Sequence, residues 1–142
     1  MKRHESLAPF SREHHTALIL AQLLKKGAPV YKGLPTSAKE KISYAINLFH
    51  DSLEEHFRKE EALLEIVQHC HEDIGKLGKE IVAEHAQLTE YFLNLDISQN
   101  PDDSINTLGI ALEKHIRKEE RVLFPLIQRK CSEEILNKIG SF

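Results

Sequence analysis

The sequence predicts an all-α fold, a four-helix bundle closed by a short C-terminal helix, and three observations predict it. Apolar residues recur at helical spacing in four long stretches. The breaks between them carry glycine, proline and helix-capping residues. Two of the stretches share a nine-residue motif, which makes the chain a pair of similar helical hairpins. No segment shows the strict alternation that a half-buried strand needs.

The first helix is expected over 11–26, with Ser11 as its N-cap, Leu18, Leu20, Leu23 and Leu24 on its apolar side and Gly27 as its stop. Residues 28–35 hold two prolines and Gly33 and read as a loop. Ser37, followed three residues later by Glu40, is a capping-box pattern that opens the second helix, expected over 37–69 through Ile42, Ile46, Phe49, Leu53 and Leu64. The third is expected over 73–95 through Ile81, Leu88 and Phe92, with Gly75 and Gly78 weakening its first turns. Ser98, Asn100 and Pro101 supply a turn, and the fourth helix follows over 103–130, kinked near its end by Pro125. A fifth, over 132–139, ends at Gly140.

Length and charge exclude several functions. A chain of 142 residues fits one domain over 1–142, and no apolar run approaches the roughly 20 residues of a membrane span. No apolar stretch follows the charged N-terminus, so a secretory signal is not expected and the cytoplasm is the expected compartment. A net charge of −3 with both signs interspersed gives no basic face for nucleic acid. Cys70 and Cys131 form no CxxC pair, which argues against thioredoxin chemistry or a zinc knuckle and for a reducing compartment, with Cys131 a small, partly buried residue.

Histidine is the unusual component: nine copies against six Phe, three Tyr and no Trp. The shared motif runs from His56 to Leu64 and from His115 to Leu123, identical in six of nine positions. A fainter repeat pairs Glu13 and His14 with Glu84 and His85. In each motif a histidine and a glutamate lie four residues apart, His56 with Glu60 and His115 with Glu119, so both project from one helix face. Phe49, Leu53, Leu63 and Leu64 share the face of His56, and Leu108, Leu112 and Val122 that of His115. Carboxylates and imidazoles on core faces are costly to bury unless paired or bound to metal, and metal is the simplest common partner.

The other two helices each offer one inward histidine. His85 lies in the stripe Ile81, Leu88, Phe92 and Leu95; on the first helix His14 shares its face with Phe10, Ala17, Leu18, Ala21 and Leu24, whereas His15 shares one with Ser11, Gln22 and Lys26. His14 is preferred on that ground. Four imidazoles and two carboxylates without thiolate suit iron, manganese or zinc. Two octahedral ions offer about twelve positions, of which four imidazoles, two bridging carboxylates and one solvent-derived bridge leave about two open to a small molecule. Arg58, Lys59, Glu61, Arg117, Lys118 and Glu120 read as a solvated face. His69, Cys70 and His71 are adjacent and point apart, His50 reads as a core-boundary residue, and His4 as part of a mobile terminus.

A histidine on helix one, HxxxE on helix two, a histidine on helix three and HxxxE on helix four resemble the hemerythrin-like, HHE cation-binding family over nearly the whole chain. The resemblance implies that family's up-down-up-down bundle. It implies that His14, His56, Glu60, His85, His115 and Glu119 hold two iron ions, joined by an oxo or hydroxo bridge and by Glu60 and Glu119, with manganese or zinc as substitutes. The family's oxygen carriers have a second histidine four residues after the first on helix three and end their last motif in aspartate. Thr89 and Glu119 stand in those places here.

The expected function is therefore a diiron protein that binds oxygen or a related diatomic such as nitric oxide, as a sensor or redox protein, with no nucleic acid or membrane partner. An enzyme of iron or peroxide chemistry or of iron-centre repair would need a catalytic acid or base beside the metals. A metal-free helical interaction module is the third alternative, and it would need no metal at all.

Overall fold

The computed structural model describes residues 2–140, and all their regular structure is helical. Helix α1 spans Ala8–Leu24, starting three residues before Ser11. Pro9 lies in its first turn, where N–H groups have no intrahelical acceptor and a missing one costs nothing. The Ser11 hydroxyl is not a cap but donates to Glu120. The chain reverses through Gly27, whose φ of 78° suits glycine.

Helix α2 (Ala38–Leu48) begins with the expected capping box: Ser37 Oγ accepts from the Glu40 N–H and donates to its carboxylate. A π-helical turn over Phe49–Leu53 joins it to α3 (Glu54–Val67), so the two form one rod. Helix α4 (Glu72–Leu93) is capped by His71, whose ring accepts from the Asp73 N–H. Helix α5 (Pro101–Lys118) passes through a second π-helical turn, Glu119–Leu123, into α6 (Phe124–Lys130). Pro125 cannot donate to the carbonyl four residues before it, and the wider turn just ahead of it absorbs that gap in place of a simple kink. Ser132 caps the short α7, Glu133–Ile139.

These elements make four antiparallel rods in up-down-up-down order, with the short links at 68–71 and 94–100 forcing neighbours to run oppositely. Helix α1 lies closest to α5, where a Cβ on Gly109 would come within 2.8 Å of the Ala21 carbonyl oxygen. No helix among the described residues is long and apolar enough to cross a membrane.

The apolar interior is two clusters, not one. Leu20, Phe49, Leu53, Phe57, Leu88, Phe92, Leu108 and Leu112 belong to the first. Leu7, Phe10, Leu63, Ile74, Ile81, Leu123, Phe124 and Ile127 belong to the second. On every rod the buried polar residues stand at the step between them: His14 between Phe10 and Ala17, His56 and Glu60 between Leu53 and Leu63, His85 between Ile81 and Leu88, His115 and Glu119 between Leu112 and Leu123.

Several expectations are corrected. Cys131 is disulfide-bonded to Cys70 across a sequence separation of 61, where the sequence suggested only a small, partly buried residue. The ends of α3 and α6 bring the Cα atoms to 5.2 Å, a separation in sequence that no spacing rule reveals. Val122 is half exposed because the π-helical turn rotates it off the face of His115. His50 is exposed. His4 is anchored: its Nε2 pairs with Glu133 at 2.7 Å, and its backbone N–H donates to Gln128.

Candidate metal centre

All six residues singled out from the sequence meet in the layer between the clusters. His14, His56, Glu60, His85, His115 and Glu119 are each buried, whereas His15 is exposed, so helical periodicity placed both rings on the correct faces. Their ligand atoms fall into two groups, His14, His56 and Glu60, and Glu60, His85, His115 and Glu119, within each of which the atoms lie within 4.8 Å of one another. Metal–nitrogen and metal–oxygen bonds of roughly 2.0–2.2 Å require ligand atoms within about 4.4 Å, so small shifts would close each group on one ion.

Glu60 belongs to both groups, one oxygen to each. Its Oε2 is 3.0 Å from His14 Nε2 and 3.0 Å from His56 Nε2, and its Oε1 is 3.0 Å from His85 Nε2. Glu119 Oε1 lies 3.0 Å from His115 Nε2 and 3.4 Å from His14 Nε2. Each half has the same histidine geometry: the rings of His14 and His56, and those of His85 and His115, meet edge to face at 4.9 Å. Phe124 stacks on His14 at 5.7 Å and Phe57 on His85 at 4.2 Å, fixing one ring of each pair.

The outward nitrogens are also occupied. His14 Nδ1 lies 3.0 Å from Glu120, His56 Nδ1 3.3 Å from Glu13, His85 Nδ1 2.8 Å from Glu61, and His115 Nδ1 2.7 Å from Glu84. Glu61 and Glu120 therefore leave the solvated face expected of them and turn to histidines on neighbouring rods. Lys118 turns as well, donating to Glu84. Arg58, by contrast, stays exposed. The signal for the outer carboxylates lay in the sequence, in the glutamates adjacent to His14 and His85 and to Glu60 and Glu119. Adjacent residues point about 100° apart on a helix, so an inward residue sends its neighbour toward the next rod.

The charges answer to this crowding. Burial alone would lower the pKa of His14, but the carboxylates of Glu119, Glu120 and Glu60 outweigh it and raise it to about 11. Burial likewise disfavours protonated His115, and Glu119 and Glu84 raise its pKa to about 9. His56 is raised because Glu60 more than offsets its burial. Burial would push the Glu60 carboxyl up, yet His14, His56 and His85 hold it well below the usual carboxylate range. Glu84 sits at about 2, its partial burial overcome by His115 and Lys118.

Among the described residues four buried polar atoms nevertheless lack a hydrogen-bond partner: His56 Nε2, His115 Nε2 and both oxygens of Glu119. His56 Nε2, His115 Nε2 and Glu119 Oε1 lie close to opposite charges but off the hydrogen-bond axis, which is how atoms stand when they share a coordinated ion and do not bond each other. Every one of them belongs to a cation group, so the donor set fits metal. The space beside the set is bounded by the apolar side chains of Ala17, Leu53, Phe57, Leu112 and Ile116. Among the described residues no acid or base other than members of the six lines it.

A family model described as the hemerythrin HHE cation binding domain matches residues 6–127. No curated protein and no solved structure matches.

Proposed function

The chain belongs to the hemerythrin HHE cation-binding family, and on that premise we propose that it holds two iron ions and binds oxygen or nitric oxide, as a sensor or redox protein. His14, His56, Glu60, His85, His115 and Glu119 are the ligands in this reading. The observation that carries it is Glu60, whose two oxygens face separate histidine groups in the manner of a bridging carboxylate. When bound, the irons supply one-electron redox chemistry and the coordination positions that the six side chains leave open.

The chain's own residues set what can use those positions. Ala17, Leu53, Phe57, Leu112 and Ile116 are apolar and their side chains offer no hydrogen-bond donor, so they favour a small, weakly polar ligand over a solvated anion or an organic substrate. An enzyme of peroxide chemistry would need a proton donor there, and among the described residues only the proposed ligands themselves carry one. A metal-free interaction module would leave four buried polar atoms unsatisfied for no return.

Elemental analysis of freshly purified protein, with the ultraviolet-visible spectrum of the air-exposed iron form, tests the proposal. Two irons per chain and near-ultraviolet absorption that nitric oxide perturbs after reduction are expected. Less than one metal per two chains would overturn it.

A further inference from the structure

We propose that Glu13, Glu61, Glu84 and Glu120 are positioning residues that form a closed hoop around the centre, each rod's outer glutamate fixing the histidine of the next rod. The order is cyclic. Glu13 on α1 meets His56 on α3, Glu61 on α3 meets His85 on α4, Glu84 on α4 meets His115 on α5, and Glu120, in the turn after α5, meets His14 on α1. No rod is left out and none is used twice. The inference rests on the six inner residues being metal ligands, as proposed above.

A neutral imidazole has one N–H and one lone pair, and the partner of one nitrogen decides the role of the other. A carboxylate at Nδ1 holds the proton there, leaves the Nε2 lone pair facing inward and makes it a better donor. All four histidines are thereby set as Nε2 ligands, in agreement with the inward placement of every Nε2. The hoop is itself secured. Lys118 donates to Glu84 at 2.7 Å, while Ser11 donates to Glu120 at 2.7 Å and Arg3 donates to its carboxylate at 3.3 Å and its carbonyl at 2.9 Å. The Arg3 guanidinium also lies 5.4 Å from the centre of Phe124, the ring stacked on His14. Glu13 makes the longest of the four contacts and is the weakest link.

The test is zinc affinity, measured by competition with a chelating dye, so that no redox activity enters the readout. Removing such partners typically costs 10–100-fold in metal affinity. Glu84→Ala and Glu120→Ala are expected to lose about that much, Glu13→Ala less, and Glu84→Gln, whose amide oxygen still accepts, to recover most of the loss. Glu80→Ala is the control for charge alone: Glu80 pairs with Lys118 but touches no histidine, and its removal should change affinity less than twofold. The second readout is the His115 Nδ1–H proton resonance of the zinc-loaded protein, which should move upfield in Glu84→Gln as a charged acceptor becomes neutral. It serves even if Glu84→Ala does not fold. If the unmodified protein takes up neither zinc nor iron, the metal reading itself fails. If it takes up zinc while Glu84→Ala and Glu120→Ala bind as well as Glu80→Ala, or the resonance stays in place, the hoop is overturned.

Discussion

Loading the centre with metal should raise the melting temperature by roughly 14 °C, and the size of the shift follows from what the metal-free layer lacks. Four buried atoms, His56 Nε2, His115 Nε2 and the two oxygens of Glu119, have no hydrogen-bond partner. Each such atom costs about 1–3 kcal/mol, so coordination that satisfies all four is worth at least about 4 kcal/mol to the folded state. Linkage gives a similar figure: a ligand present at a thousand times its Kd stabilises by about 4.1 kcal/mol. With an unfolding entropy of roughly 2.1 cal/mol/K per residue, or about 0.3 kcal/mol/K for the chain, that becomes about 14 °C. The assay is differential scanning calorimetry of the metal-free protein and of the same protein reconstituted with iron(II) under anaerobic conditions, metal content being verified in each cell. Melts that coincide within about 2 °C at a verified two metals per chain would refute the reasoning.

Other consequences follow from particular residues. Glu60→Ala should empty both halves of the centre because its oxygens serve both, and Glu119→Ala should lower metal content nearly as far. His14→Ala should lose metal while the exposed His15→Ala keeps it, as elemental analysis would show; the reverse would mean that the polar layer is occupied otherwise. The pKa values of His14 and His115 lie above the ordinary imidazole value of 6.5 in the metal-free fold, so the stability they contribute is complete below pH 6.5 and is lost as pH rises through about 9 for His115 and about 11 for His14. Metal needs the deprotonated imidazoles, so its stabilisation should grow with pH over the same window, and parallel melting curves of the two forms between pH 6 and 9 would contradict this. Reducing the Cys70–Cys131 bond, which closes a 61-residue separation, should cost about 4 kcal/mol by chain entropy. Urea unfolding with and without a thiol reductant measures that loss, and an unchanged midpoint would show that the bond constrains little.

Periodicity carried most of the fold and the inner site, because burial repeats along a helix with a fixed step. His14 was separable from His15 since their neighbours three and four residues away differ in character, and the structure buries the one and exposes the other. Adjacent-residue reasoning failed where the chain leaves the regular α-helical step. Val122 was placed inward by counting at 3.6 residues per turn, but the π-helical turn over Glu119–Leu123 rotates it outward. Glu61 and Glu120 read as solvated surface because their partners lie on other rods: adjacency to Glu60 and Glu119 turns them toward a neighbouring rod, but it does not name the histidine they meet there. The Cys70–Cys131 bond escaped for the same reason: it joins two helix ends that meet only once the bundle is closed.

The duplicated hairpin explains why the centre is two-sided and why neither hairpin completes it. The first contributes His14, His56 and Glu60 and the second His85, His115 and Glu119. Yet Glu60 of the first reaches His85 of the second, and Glu119 of the second reaches His14 of the first. The outer contacts cross in the same sense, Glu61 to His85 and Glu120 to His14. A hairpin alone therefore holds an incomplete set inside and an open hoop outside, with buried charge that nothing balances. The polar layer becomes tolerable only when the hairpins meet, so it disfavours any alternative docking of two similar apolar faces that would leave these groups unmatched. The layer thus specifies how the hairpins align, and the separation of the apolar interior into two clusters is the structural trace of that requirement.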